Sequence, residues 1–389
     1  MARSTVLRLR GAWLSVHKWI GICLAILIIP ISVTGAALVW DGWLDQQLNP
    51  QRYDVSTGEP RLTPSQYADA ARTRAGPDDR LTSLRFAEDG DGPIVASLTR
   101  VPQSGGGGAE RGGPPQRTNV WIDPGNGQVL DGAGANSGLI RIFHNLHGNL
   151  MVPGWGRTIV GWVGVFMFIS CLTGIWLWWP IGGSFRRGFR WKRQNSTNAN
   201  IHHLVGFWIL LPLAMLSFTG FWISFPGVFG GGPQGPRPAP AMPLAQPHLG
   251  ADAALAAAQP MSRNARLASI TWPTDRAPEW KIAFDGVGEI AVNDATGAAT
   301  APKRGPGGQQ RPLMRRWHDG TGMGPVWQIL IFLGGIIPAI LSVTGLVMWW
   351  RSRGWKKALA KRRGEKLVAP QPAEWAAAKG AGIGRKRDR

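Results

Sequence analysis

The chain has 389 residues, with 43 Lys and Arg against 23 Asp and Glu, and its 44% hydrophobic content is an average that would suit a soluble protein. The charges are unevenly spread: residues 19–40, 158–185, 194–236 and 320–350 contain no Asp, Glu, Lys or Arg. Each stretch holds roughly 20 or more mostly apolar residues, enough for a helix to cross the hydrocarbon core, which argues against a soluble globular class. The two cysteines, Cys23 and Cys171, sit inside these stretches, so there is no disulfide framework, and no C-x-x-C-H motif offers covalent cofactor attachment.

In chain order, residues 1–18 form a basic N-terminal segment and 19–40 the first span, flanked by Trp19 and Trp40. Arg3, Arg8 and Arg10 precede it, but its apolar run is long for a cleaved leader and no clear A-x-A site follows, so a retained span is expected. Residues 41–140 form a first outer module ending in the strand–turn–strand NVWIDPGNGQVL, and 141–157 a segment bearing His144 and His147. The second span, 158–180, leads into a basic loop, 181–200, and the third span is 201–226. A second outer module, 227–313, ends in EIAVNDATGAAT, and 314–324 carries His318 before the fourth span, 325–350, and a basic tail, 351–389. The Gly/Pro-rich stretches 104–117, 229–243 and 302–312 read as flexible loops. The glycine run at 105–108 precedes no strand–helix unit and is rejected as a phosphate loop.

Charge sets the expected orientation. Segments 1–18, 180–200 and 351–389 hold 22 basic and 3 acidic residues, whereas 41–157 and 227–319 hold 21 and 20. The positive-inside rule therefore puts both termini and the short loop in the cytoplasm and both modules outside. The basic balance reports topology and contact with the anionic lipid bilayer, and no nucleic-acid partner is expected.

The spans repeat. HKWIGICLAILIIPISVTG and HHLVGFWILLPLAMLSFTG align with an offset of 185, taking His17 to His202 and Thr34-Gly35 to Thr219-Gly220. Spans two and four align with an offset of 171, taking His147 to His318, Gly164 to Gly335, Thr173-Gly174 to Thr344-Gly345 and Trp178-Trp179 to Trp349-Trp350. The chain thus reads as two parallel copies of span, outer module, span, related by an axis along the membrane normal. Gly21, Gly164, Gly206 and Gly335 are expected to let helix backbones approach closely. Pro30, Pro212 and Pro338 are expected to kink the spans, and the Thr-Gly pairs are read as packing.

Six of the seven histidines stand at span ends. Around a two-fold axis, His17 would face His202 near the inner surface and His147 would face His318 near the outer one. A neutral imidazole is a good haem ligand and an apolar helix bundle a natural haem pocket, so two bis-histidine haems are expected. His17 and Gly35 bracket about 27 Å of helix, so a haem toward each face would divide the membrane into shorter electron-transfer steps. His202 and His203 are about 100° apart on a helix and cannot both face one iron. His144 and His147 share a face, so His144 could replace His147, ligate another haem or hold a propionate. Arg141, Arg315 and Arg316 are candidate propionate or chelate contacts, and His248 is read as unrelated. No serine triad, H-E-x-x-H or Walker loop is visible, and no general acid or base is assigned.

RIFHNLHGNL, GRTIVGWVGVFMFISCLTGIWLWWP, HHLVGFWILLPLAMLSFTG, GGIIPAILSVTGLVMWWR and the strand VWIDPGNGQVL together resemble the PepSY-associated transmembrane helix family over essentially the whole chain. Within it the chain is most similar to bacterial inner-membrane siderophore reductases of the ferrioxamine B type. The resemblance makes PepSY-like and periplasmic the two small α+β outer modules of the fold expected above, a mainly α membrane protein with a four-transmembrane-helix bundle from an internal duplication. It also implies haem b, a periplasmic ferric siderophore as substrate, and iron released as Fe(II). Hard siderophore oxygens hold Fe(III) far better than Fe(II), so one electron loosens the metal without destroying the chelator. No flavin or nicotinamide motif is visible, so a quinol or a separate cytoplasmic reductase is expected as electron donor. The alternatives are a haem electron-transfer subunit for a quinone, copper or sulfur compound, and a haem-free sensor or interaction protein. Asn293 stands where the repeat of Asp123 would fall, which sets the second module apart from the first.

Overall fold

The computed structural model describes residues 3–87, 90–101, 116–135, 137–179, 185–190, 196–229, 241–300 and 313–367. The loop 302–312 and residues 104–115 and 230–240 of the other two Gly/Pro-rich stretches lie outside these residues, as does the tail beyond 367. The first half of the chain contains α1 (Arg3–Leu38), α2 (Asp41–Leu48), α3 (Pro64–Arg72), β1 (Asp79–Arg85), β2 (Ile94–Arg100), β3 (Arg117–Ile122), β4 (Val129–Gly134), α4 (Leu139–Asn149) and α5 (Gly156–Trp178). The second half contains α6 (Thr197–Ser224), α7 (Pro226–Phe229), α8 (Ala251–Ala258), β5 (Leu267–Thr271), β6 (Glu279–Phe284), β7 (Gly288–Asn293), β8 (Ala299–Thr300), α9 (Leu313–Asp319) and α10 (Pro325–Leu367). Long helix, module helix, four strands, short helix and long helix recur in the same order, as the repeated spans require.

Among the described residues, α1, α5, α6 and α10 are long and apolar enough to cross a membrane. Two of them outrun their apolar stretches. Helix α1 starts at Arg3 and α10 reaches Leu367, because Leu, Ala, Lys and Arg continue a helix well beyond the apolar core. His17 therefore stands inside a continuous helix. Pro30, Pro212 and Pro338 lie within α1, α6 and α10 without ending them. In an apolar medium the helix remains the state that satisfies most backbone groups, even with one bond missing.

The chain forms two compact units. One comprises Met1–Ile29, Ile169–Leu211 and Ile337–Arg389. Here the Arg10 guanidinium donates to the carbonyls of Trp176 at 3.4 Å and Trp179 at 2.8 Å, a cation placed on the open C-terminal end of α5. Trp178 stacks on Phe207 with centroids 4.0 Å apart.

The other unit comprises Pro30–Phe168 and Pro212–Ile336. In it a Cβ on Gly164 would stand 3.1 Å from the Ser217 carbonyl, and one on Gly335 would stand 3.0 Å from the Ser32 carbonyl. These two glycines do admit a close backbone. Gly21 and Gly206 do not serve that end, since nothing stands within 4 Å of a Cβ at either.

The strands depart from the expectation of two separate small modules. All eight form one antiparallel sheet in the order β4-β3-β2-β1-β5-β6-β7-β8. The halves join where β1 pairs with its own counterpart β5, with Ser83 opposite Thr271, Leu84 opposite Ile270 and Arg85 opposite Ser269. Antiparallel pairing of equivalent strands is what a local two-fold produces, and it removes two exposed edges. Helices α3 and α8 cover the sheet through Tyr67, Ala68 and Ala71 and through Ala251, Ala254 and Ala258, spacings that put each set on one helical face. Beneath them, alternating strand residues such as Leu84, Ile94, Leu98, Ile122, Ile270, Ile282, Ile290 and Val292 make the core. Arg52 fastens the segment after α1 to this sheet, bonding Asp131 at 2.6 Å and Asp45 at 2.9 Å while lying over Trp121.

The missing carboxylate at Asn293 is supplied one residue later. Asp123 accepts from the backbone and hydroxyl of Ser56, both at 2.8 Å, and caps its own turn through Gly125 N. In the second half Asn293 keeps the turn, accepting from Ala295 and Thr296, while Asp294 accepts from His248 N, Leu249 N and Trp280 Nε1. Each aspartate thus pins the strap that leads into its module helix. Burial pushes the Asp123 carboxyl up, but the hydrogen bonds from Ser56 and Gly125 outweigh it and leave the group below its ordinary range. A depressed pKa gives stability that is present above the unfolded value and lost as pH falls through the folded one. Asp123→Ala is expected to cost about 1.5–3 kcal/mol at neutral pH, read as faster hydrogen exchange of β3 and β4 amides in the full chain. The difference from wild type should shrink as pH falls below the ordinary carboxylate range, about 3.9, toward the lower folded value; equal exchange at neutral pH would contradict this role.

Candidate functional site

Four histidines meet in two pairs, one in each compact unit. His17 of α1 and His202 of α6 have ring centroids 6.3 Å apart at an interplanar angle of 84°. His147, at the end of α4, and His318, near the end of α9, have centroids 5.9 Å apart at 42°. These are the positions that the two sequence offsets bring into register.

Each ring rests on a Thr-Gly pair of a long helix. His17 Nδ1 lies 2.9 Å from Thr173 Oγ1 and 3.1 Å from the Ser170 carbonyl. His202 Nδ1 lies 3.2 Å from Thr344 Oγ1, and His318 Nδ1 2.9 Å from Thr219 Oγ1. His147 Nδ1 donates to the Ile31 carbonyl at 2.8 Å. The following glycine makes room for the ring: the nearest atom to a Cβ on Gly35, Gly174, Gly220 or Gly345 would be Cε1 of His147, His17, His318 or His202 respectively. From sequence alone these Thr-Gly pairs read as packing. The signal that could have found them was their recurrence at the same offsets as the histidines.

The hydrogen bonds fix the tautomers. Thr173, Thr219 and Thr344 spend their hydroxyl proton on carbonyls of their own helices, those of Ser170, Met215 and Ile340 at 2.9, 2.9 and 3.0 Å. Their oxygens therefore accept from Nδ1–H, and each imidazole keeps its lone pair on Nε2. Burial pushes His147 and His318 down from the ordinary imidazole range, His318 to about 4 with His147 adding to the effect. Both are thus neutral at pH 7, the state in which imidazole binds a metal.

The remaining histidines go elsewhere. His203 stacks on Trp178 at 19°, centroids 6.0 Å apart, and its Nε2–H donates to the Gly188 carbonyl at 3.2 Å. His144 is exposed, with Nε2 3.9 Å from Asp41 Oδ2. His248 donates its backbone N–H to Asp294. Arg141 and Arg315 are exposed on α4 and α9, and Arg316 is half-buried.

The pairs fit haem as a ligand set. A metal–imidazole bond of about 2.0 Å places two trans rings with centroids about 6 Å apart, and the two observed spacings are 6.3 and 5.9 Å. Among the described residues no group of three or more His, Cys, Asp or Glu could hold a metal ion. Each pair thus offers two imidazole nitrogens, and an ion held there needs its other ligands from the group that carries it, as a porphyrin supplies them.

A family model described as "PepSY-associated TM region" matches residues 14–352, a range that includes all seven histidines. No curated protein matches the chain.

Proposed function

The chain belongs to the PepSY-associated TM region family, and from that premise we propose that it is a di-haem b membrane reductase delivering electrons to a ferric siderophore. The observation that carries the reading is the pair of histidine pairs, each ring held through Nδ1 with Nε2 left for a metal. His17 and His202 would hold one haem, and His147 and His318 the other; bound haem supplies one-electron redox chemistry at its iron.

The chain's own residues do the rest. A haem held by two histidines would favour electron transfer over oxygen binding. Thr173, Thr219, Thr344 and the Ile31 carbonyl orient the rings. The charge asymmetry supports cytoplasmic termini and an inner-membrane location, with the sheet, read as a fused pair of PepSY-like modules, on the periplasmic side. A quinol or a cytoplasmic reductase would give the electrons singly at the inner pair. The ferric chelate would take one electron at the outer pair, and Fe(II) would leave the hard oxygen ligands. The exposed Arg141 and Arg315, and the half-buried Arg316, are suited to propionates or an anionic chelate.

The test begins with the visible spectrum of the purified protein, oxidised and reduced. The protein is then reduced anaerobically, a ferric hydroxamate is added, and haem reoxidation is followed with an Fe(II)-specific trap. Stoichiometric reoxidation with trapped Fe(II) is expected. Haem that stays reduced across hydroxamate and catecholate chelates, yet is reoxidised by a quinone, would replace the siderophore with a quinone as the substrate.

A further inference from the structure

The four histidine seats are repeats in sequence, and at each the carbonyl three residues before the threonine bonds the ring, but they differ in the threonine hydroxyl. At three of them the threonine oxygen receives Nδ1–H: Thr173 for His17, Thr219 for His318 and Thr344 for His202. Thr173 shares the task with Ser170, whose carbonyl and hydroxyl lie 3.1 and 3.2 Å from His17 Nδ1. At the fourth seat Thr34 donates to the Pro30 carbonyl at 2.6 Å and the Ile31 carbonyl at 3.2 Å. His147 reaches past it to that same Ile31 carbonyl at 2.8 Å.

The difference has a steric cause. A Cβ on Gly35 would fall 2.5 Å from His147 Cε1, whereas the same distance is 3.3 Å at Gly220, 3.4 Å at Gly174 and 3.6 Å at Gly345. His147 therefore lies closer over its helix than the other three rings lie over theirs. At that approach Nδ1 meets the main-chain carbonyl alone, and at the wider one it meets the hydroxyl as well as the equivalent carbonyl, that of Ser170, Leu216 or Leu341.

We infer that Thr219 and Thr344, and Thr173 together with Ser170, are positioning residues that set the orientation and donor strength of the axial histidines, and that Thr34 is not. The inference rests on the haem reading above. An Nδ1–H that donates to an oxygen makes Nε2 a stronger donor and favours Fe(III) over Fe(II). Replacing the threonine by valine keeps the volume but removes the hydroxyl acceptor and leaves the carbonyl as the sole one, so the potential of the haem on that pair should rise. Thr219 and Thr34 belong to seats of the same pair, which makes one a control for the other.

The experiment uses the full chain in detergent, with haem content, a redox titration and the low-spin electron paramagnetic resonance signal read together. Thr219→Val is expected to shift the Fe(III)/Fe(II) preference of one haem about ten-fold, or 59 mV for one electron, while Thr219→Ser restores it. Thr34→Val should leave both potentials where they were. Equal shifts in T34V and T219V, or none in a haem-loaded T219V, would overturn the inference while leaving the functional reading standing. A T219V protein that loses its haem while T219S keeps the wild-type potential supports it, because the hydroxyl is what the serine restores. A wild-type protein that binds no haem overturns both.

Discussion

His318→Ala is expected to remove one of two haems from the purified protein and leave the other with its low-spin spectrum unchanged. His147→Ala should do the same to that haem, and His17→Ala or His202→Ala should each remove the second one only. The independence follows from placement: His147 and His318 face each other in one compact unit, His17 and His202 in the other. Losing a partner of a metal-bound histidine already lowers metal affinity about 10–100-fold, so losing the ligand itself should empty a non-covalent site during purification. His203→Ala and His144→Ala should keep both haems, because His203 spends Nε2 on the Gly188 carbonyl and His144 stands beside Asp41. A haemochrome assay gives the stoichiometry. If H203A or H144A loses haem while H202A or H147A retains it, the pairing is wrong at that cluster.

The reach of the sequence differed sharply between neighbouring residues. The four long helices were legible because runs without charge have one physical destination, and the offsets of 185 and 171 paired the histidines whose rings lie 6.3 and 5.9 Å apart. The choice between His202 and His203 was not legible. Consecutive residues point to different faces of α6, and only the position of Trp178 and Gly188 shows which face is already taken. The fused sheet was hidden for another reason. Its joint is three residue pairs between β1 and β5, and each strand alone looks like any half-buried strand, so no local signal distinguishes pairing within a module from pairing across modules. Asp294 was missed because the repeat was aligned on the turn, where Asn293 truly corresponds to Asp123, while the carboxylate that pins the strap had moved by one residue. The Thr-Gly pairs are short and common, and their purpose depends on a ring arriving from another helix.

Gly35→Ala is expected to be the most damaging of the four glycine substitutions at the histidine seats. Alanine is ordinarily the better helix former by up to about 1 kcal/mol, so propensity predicts a gain at every one of these positions. Sterics predict a graded loss instead. The new methyl at position 35 would fall 2.5 Å from His147 Cε1 and 2.8 Å from Nδ1, closer than van der Waals contact permits. The ring cannot yield easily, since its Nδ1 is tied to Ile31 on that same helix. His147 must therefore leave its seat, give up the carbonyl and turn Nε2 away from the pair. At Gly220 and Gly174 the nearest ring atoms are 3.3 and 3.4 Å away, so shifts of a few tenths of an ångström suffice, and at Gly345 the 3.6 Å distance is ordinary contact. Haem retention should accordingly fall most in G35A, by ten-fold or more in affinity, modestly in G220A and G174A, and least in G345A. Thermal unfolding measured on the same samples separates the two effects: G35A should lose haem without a matching loss of helical structure. Equal haem loss in all four variants would mean that these glycines serve helix packing rather than the histidine rings, and that the close approach of His147 to α1 has no bearing on binding.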